Sequence, residues 1–217
     1  MAYTYAYASY ADRGNTIRFN ISDQDSRKGE RYAGLWVRSD GNGMTGLKVY
    51  NNTVRMGRGG KQAAYVNGKG IQAEFRNNIF VGCDAALPLV VEQPEGQLRF
   101  ENNLYWGGGA PFQIRWGESN YVTLDEWRKA THQELAEGKA LGSFADPRFA
   151  PEPAQPPVGD PNWQMRLSAY KPELATAEWL STLTPVTLSR ESTSFFDILG
   201  RSLDPWRWPL GAVGPGS

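Results

Sequence analysis

Three segments of this chain share one pattern: a short alternating stretch, a pair of asparagines, then an apolar residue or two. They are Leu47-Lys-Val-Tyr-Asn-Asn-Thr-Val54, Ala73-Glu-Phe-Arg-Asn-Asn-Ile-Phe80 and Leu98-Arg-Phe-Glu-Asn-Asn-Leu-Tyr105. A weaker copy, Asn15-Thr-Ile-Arg-Phe-Asn-Ile-Ser22, precedes them. Aligned on the last asparagine, the anchors are Asn20, Asn52, Asn78 and Asn103, at steps of 32, 26 and 25 residues. Self-similarity with a period in the twenties marks a solenoid, where each repeat buries its apolar face by stacking on its neighbours.

Before each asparagine pair, apolar Leu47 and Val49, Ala73 and Phe75, Leu98 and Phe100 alternate with charged Lys48, Glu74 and Arg99. That is the period of a strand with one buried and one wet face. In a stacked coil, equivalent positions lie about 4.8 Å apart. Asparagine side chains at that spacing can hydrogen-bond as a ladder, and asparagine also tolerates the left-handed conformation a corner needs. The pattern therefore predicts Val49, Phe75 and Phe100 in one interior column and Asn52, Asn78 and Asn103 in another. The alternative is a set of ordinary hairpins in a β-sandwich, which gives no reason for the near-constant spacing.

The segments Tyr50-Asn-Asn-Thr-Val54, Arg76-Asn-Asn-Ile-Phe80 and Glu101-Asn-Asn-Leu-Tyr105 resemble rungs of the right-handed parallel β-helix superfamily, the pectate-lyase-like group. Asn15-Thr-Ile-Arg-Phe-Asn-Ile-Ser-Asp-Gln-Asp25 is similar to rungs of its secreted bacterial members. So are Tyr121-Val-Thr-Leu-Asp-Glu-Trp127 and Ala145-Asp-Pro-Arg-Phe149, which in that group close the last rungs. The resemblance covers roughly residues 10–150. It implies an all-β fold, a right-handed single-stranded parallel β-helix with a C-terminal helical or irregular cap. It implies polysaccharide as the ligand class, without naming a reaction. No cofactor is expected, although β-helix lyases often use calcium, a hard ion that takes oxygen ligands.

Composition narrows the classes. The 217 residues suffice for one ample core or a domain with an appendage. Lys plus Arg and Asp plus Glu are both 23, and this neutral balance argues against nucleic acid as the main partner. The one cysteine, Cys83, can form no internal disulfide and reads as a small buried hydrophobe. With His132 the sole histidine, clusters built on several histidines are excluded. No run of 18 apolar residues offers a membrane span. The opening Met1-Ala-Tyr-Thr-Tyr-Ala-Tyr-Ala-Ser-Tyr10 has neither the basic head nor the apolar middle of a signal peptide, and it alternates like a strand. This opening reads as the C-terminal portion of a longer protein, secreted or at the cell surface. An uncovered first rung would template pairing with a second chain. Self-association through that rung, and little or no cleavage by this chain alone, are the corresponding expectations.

The chain divides into rungs over 1–120 and a capping region over 121–217. Thr123-Leu-Asp-Glu126 is a capping box at the head of a short helix, with Trp127 and Ala130 on its apolar side. A solenoid needs such a plug, since a bare last rung exposes core and unpaired backbone. A proline-rich link follows at 151–157. Trp163, Trp179, Phe195, Phe196, Trp206 and Trp208 then suggest a tail that packs back along the coil.

Two features could carry chemistry. One is the charged stretch holding Asp23, Asp25, Arg27, Lys28, Glu30 and Arg31, with Arg38 and Asp40 on the same rung. Paired carboxylates can act as acid and base on a glycosidic bond. The candidate catalytic set is Asp23, Asp25, Arg27, Glu30, Arg38 and Asp40, and the plainer account is a solvated, salt-bridged loop. The other feature is aromatic: Trp36, Tyr65, Trp106 and Trp116 are candidates to stack sugar rings, against the alternative of core packing. No candidate metal ligand emerges. The two function classes are a carbohydrate-active lyase or glycosidase, whose charged residues must converge in a cleft, and a non-catalytic glycan-binding, adhesion or structural module, which needs an aromatic strip instead.

Overall fold

The computed structural model describes residues 5–9, 12–25, 32–39, 41, 43–84 and 86–149. Four successive strand sets, stacked over about three turns, build it. The first holds β1 (Tyr5–Ser9), β2 (Asp12–Arg13), β3 (Thr16–Arg18) and β4 (Ile21–Asp25). The second holds β5 (Ala33–Ser39), β6 (Met44–Tyr50) and β7 (Thr53–Met56). The third holds β8 (Gln62–Asn67), β9 (Ile71–Arg76) and β10 (Ile79–Val81), and the fourth β11 (Leu87–Val91), β12 (Gln97–Glu101) and β13 (Leu104–Trp106). Then come β14 (Ile114–Trp116), β15 (Ser119–Tyr121), helix α1 (Leu124–Thr131), β16 (Leu135–Ala136), β17 (Lys139–Ala140) and β18 (Ser143–Phe144).

Like strands of successive rungs pair in parallel. The first sheet runs β1-β5-β8-β11-β14, the second β2-β6-β9-β12 with β3 also on β6, and the third β4-β7-β10-β13-β18. Antiparallel pairing occurs, among the described residues, only at β14–β15 and β16–β17. The fold is thus an all-β parallel solenoid of about three turns, and the sandwich alternative falls.

The interior columns are those the repeat predicts. Ile17, Val49, Phe75 and Phe100 are in register. The rings of Phe75 and Phe100 stack with centroids 4.4 Å apart and planes 1° from parallel. The two asparagines of each pair divide the work. The first, at Asn51, Asn77 and Asn102, takes the left-handed corner with φ of 55°, 55° and 57°. In the weaker copy Phe19 takes this place at φ 54°.

The second asparagine builds the ladder. Asn52 Oδ1 accepts from the backbone N–H (3.1 Å) and Nδ2 (2.9 Å) of Asn20, while its Nδ2 donates to the Ile17 carbonyl at 3.0 Å. Asn78 repeats this with Asn52 and the Val49 carbonyl. Asn103 repeats it with Asn78 and the Phe75 carbonyl. In the bonds passed from one rung's side chain to the next, all four donate in the same direction along the axis.

The strand of the first rung runs further than the charge pattern implies. Asp23–Asp25, read from sequence as the start of a loop, completes β4, because Asp23 lies beside Arg55 of β7 and pairs with it. Arg55 Nε and Nη2 donate to its two carboxylate oxygens at 2.6 and 3.2 Å.

At the far end each sheet edge is closed differently. β15 folds back on β14, and β18 adds to β13. The edge of β12 is met by one side chain: Gln133 Oε1 accepts from the Phe100 N–H at 2.7 Å, and its Nε2 donates to the Leu98 carbonyl at 3.1 Å. Helix α1 plugs the core. Its Trp127 is fully buried, edge-on to Phe100, Tyr105 and Trp116 at 5.7–5.9 Å. Thr123 Oγ1 accepts from the Glu126 N–H at 3.1 Å, the N-cap half of the capping box. Thr123→Ala should therefore cost about 1 kcal/mol through loss of this cap, read as a shift in the urea midpoint. An unchanged midpoint would mean that the plug is held by Trp127 alone. The link at 151–157 and the aromatic tail lie outside the described residues.

Candidate functional site

Strand alternation sorts the first sheet into two faces. Val37, Val66, Val91 and Trp116 share one register column, and the three valines are buried in the core. The neighbouring column, Trp36, Tyr65, Val90 and Arg115, points the other way, outward. Arg38 and Asn67 form the next outward pair, and the Glu92 N–H continues the ladder onto the Val66 carbonyl at 2.9 Å.

On this face Trp36 stacks on Tyr65, centroids 5.7 Å apart and planes 30° apart. Tyr32, 44% exposed, stands edge-on to Trp36 at 6.1 Å. The exposed Arg38 guanidinium lies 5.8 Å from the Trp36 ring, in cation–π range. Tyr65 is 3% exposed and backs the indole, which is itself only partly covered. The Trp36 Nε1–H is a buried donor with no acceptor among the described residues.

Beside the rings runs a polar chain. Asn67 Nδ2 donates to the Tyr65 hydroxyl at 3.1 Å and to the Glu92 carboxylate. Arg115 lies 3.7 Å from the other oxygen of Glu92. Burial, then the neighbouring Glu92, push the Tyr65 hydroxyl up to about 12, so the phenol stays protonated at neutral pH. The arrangement is an aromatic platform edged by an amide, a carboxylate and two guanidinium groups. It can stack a ring and exchange hydrogen bonds with hydroxyls.

The other sequence candidates fall elsewhere. Trp116 is edge-on to Phe100 and Trp127 under the plug. Asp23 and Trp106 share an outward column of the third sheet with Arg55 and Val81, Trp106 packing on Phe144 at 5.2 Å. Asp25 closes β4 opposite Met56. Arg27, Glu30 and Asp40 lie outside the described residues. Among the described residues, then, Trp36, Arg38 and Tyr65 come together, and Asp23 is engaged on another sheet. Asn67, Glu92 and Arg115 were not singled out from sequence. Their signal is the register alone: Arg115 lies in the Trp36 column, Asn67 is matched with Arg38, and Glu92 comes next along on the following rung. No group of three or more potential metal ligands occurs among the described residues.

No family model, curated protein or solved structure matches this chain.

Proposed function

We propose that this chain is a carbohydrate-binding β-helix protein of the pectate-lyase-like kind, holding an extended polysaccharide along the outer face of its first sheet. The observation that carries this reading is the Trp36–Tyr65 stack with Arg38 against it, on adjacent rungs of one face. Rungs recur about every 4.8 Å, comparable to the length of one sugar unit in an extended chain. The rings open to a sugar are the exposed Tyr32 and the partly covered Trp36, since Tyr65 and Val90 of the same outward column are buried behind them. Asn67, Glu92 and Arg115 supply donors and acceptors for hydroxyls or for a uronate carboxylate.

Binding is favoured over cleavage because Glu92 is the carboxylate this face presents among the described residues, and it is engaged by Asn67 and Arg115. General acid–base cleavage of a glycosidic bond calls for two. Calcium bridging between Glu92 and a uronate would follow the chemistry of a hard oxygen ligand.

Titration calorimetry against neutral and acidic polysaccharides tests the proposal. Trp36→Ala should weaken binding about tenfold or more, as for loss of a central interface aromatic; the melting temperature should fall as well, because the indole packs on Tyr65, so binding is compared well below both transitions. Absence of binding to every polysaccharide, or equal binding by the variant, overturns the reading. Release of reducing ends or unsaturated uronates would replace binding with catalysis.

A further inference from the structure

Glu134 occupies the seat of the next ladder asparagine. Its Oε1 accepts from Asn103 Nδ2 at 2.8 Å and from the Asn103 N–H at 3.2 Å, the two bonds every ladder asparagine receives from the rung before. Its backbone N–H donates to the Phe100 carbonyl at 2.7 Å. That carbonyl corresponds to Ile17, Val49 and Phe75, which accept from the side-chain amides of Asn52, Asn78 and Asn103. The main chain thus replaces the amide donor, and the carboxylate replaces the amide oxygen. Glu134 sits at φ 50°, and Gly142 lies so close that an added Cβ would fall 2.5 Å from its carboxyl.

This seat differs from an asparagine in one respect: it can carry charge. Glu134 is fully buried. The polar groups facing it are Asn103 and the Tyr105 hydroxyl, which donates to Oε1 at 2.8 Å. From α1, Arg128 turns its two Nη groups to the carbonyls of Leu141 and Gly142 and to Asp125, and its Nε–H has no acceptor among the described residues. Among the described residues no cation is bonded to the Glu134 carboxylate, and a buried charge without a counter-ion is costly.

We propose that Glu134 is a proton-operated clasp: protonated, it locks the segment from Gln133 to Ala145 onto the last rung, and ionised, it loosens that segment while the coil beneath stays folded. Burial raises its carboxyl from 4.5 to about 7, against the bonds from Asn103 and Tyr105 that lower it. An acid raised in the folded state contributes stability that is fully present below 4.5 and is lost as pH rises to about 7. The clasp therefore tightens in acid and slackens above neutrality.

Hydrogen exchange on the whole chain tests this. The amides of Glu134, Leu141, Ser143 and Ala145 donate to the carbonyls of Phe100, Glu134, Asn103 and Tyr105 and report the clasp. The amides of Ile79 and Leu104, bonded to Asn52 and Asn78, report the coil. Protection factors of the first group, corrected for intrinsic exchange, should fall on the order of a hundredfold between acid and mildly alkaline pH, with the second group steady. In Glu134→Gln, which keeps an Oε1 acceptor and cannot ionise, the fall should vanish. Tyr105→Phe removes a donor to the carboxylate, so the midpoint should move to higher pH. Flat protection in the wild-type chain, an equal fall in Glu134→Gln, or a midpoint unmoved by Tyr105→Phe would each overturn the proposal.

Discussion

Truncating Phe75 to alanine should destabilise the fold by about 3–5 kcal/mol, the range for a fully buried aromatic. Phe75 is completely enclosed, in register with Val49 on one side and Phe100 on the other, and its ring lies flat on that of Phe100. Neighbouring rungs are held at fixed spacing by backbone pairing on three sheets, so the coil cannot close around the void. The cavity term therefore adds almost in full to the lost transfer energy. Urea unfolding monitored by the tryptophans measures it. A loss under about 1 kcal/mol would mean that the rungs slide together, contrary to their register.

Asn78→Ala should be of similar size, for a different reason. Removing the side chain deprives Asn52 of the oxygen that accepts both its N–H and its Nδ2, and deprives the Val49 carbonyl and Asn103 Oδ1 of a donor. Asn52 Nδ2 keeps the Ile17 and Tyr50 carbonyls, and Asn103 Oδ1 keeps the Asn78 N–H, so the losses fall on the buried Asn52 N–H and Val49 carbonyl; at about 1–3 kcal/mol each, roughly 4 kcal/mol in total is expected. Asn78→Asp keeps the acceptor but sets a buried carboxylate against the Val49 carbonyl and Asn103 Oδ1, so at neutral pH it should cost at least as much as alanine. If Asn78→Ala and Asn52→Ala together cost the plain sum of the two, the ladder is not cooperative.

The coil and its ladder were legible because every rung solves the same burial problem with the same residue types at one step. Val49, Phe75 and Phe100 declare their side by alternating with Lys48, Glu74 and Arg99. Strand ends were less legible. Asp23 looks like loop by composition, and only its partner Arg55, one rung away, makes it strand. Gln133 and Glu134 carried no signal, since they imitate the repeat from outside it with different residues. At the candidate site, Trp36, Arg38 and Tyr65 stood out by type. Glu92 and Arg115 did not, because which side of a sheet a residue faces depends on a register that is known only when the rungs are stacked. The same holds for Trp116, whose match to Val91 sets it beneath the plug.

The one-way direction of the ladder has a consequence for how a protein like this can change its length. Side chain to side chain, Asn20, Asn52, Asn78 and Asn103 all donate toward the same end, and there the seat is already taken by Glu134. A duplicated block of 25 or 26 residues inserted between Asn52 and Asn103 would hand its bonds on unbroken, because each such block receives and donates identically. The same block placed after Glu134 would meet a carboxyl with no amide hydrogens and at most its one acid proton to pass forward, where each ladder amide has two hydrogens. Tandem growth thus keeps the ladder whole inside the coil and weakens it past Glu134, where a single glutamate ends the run of identical amides.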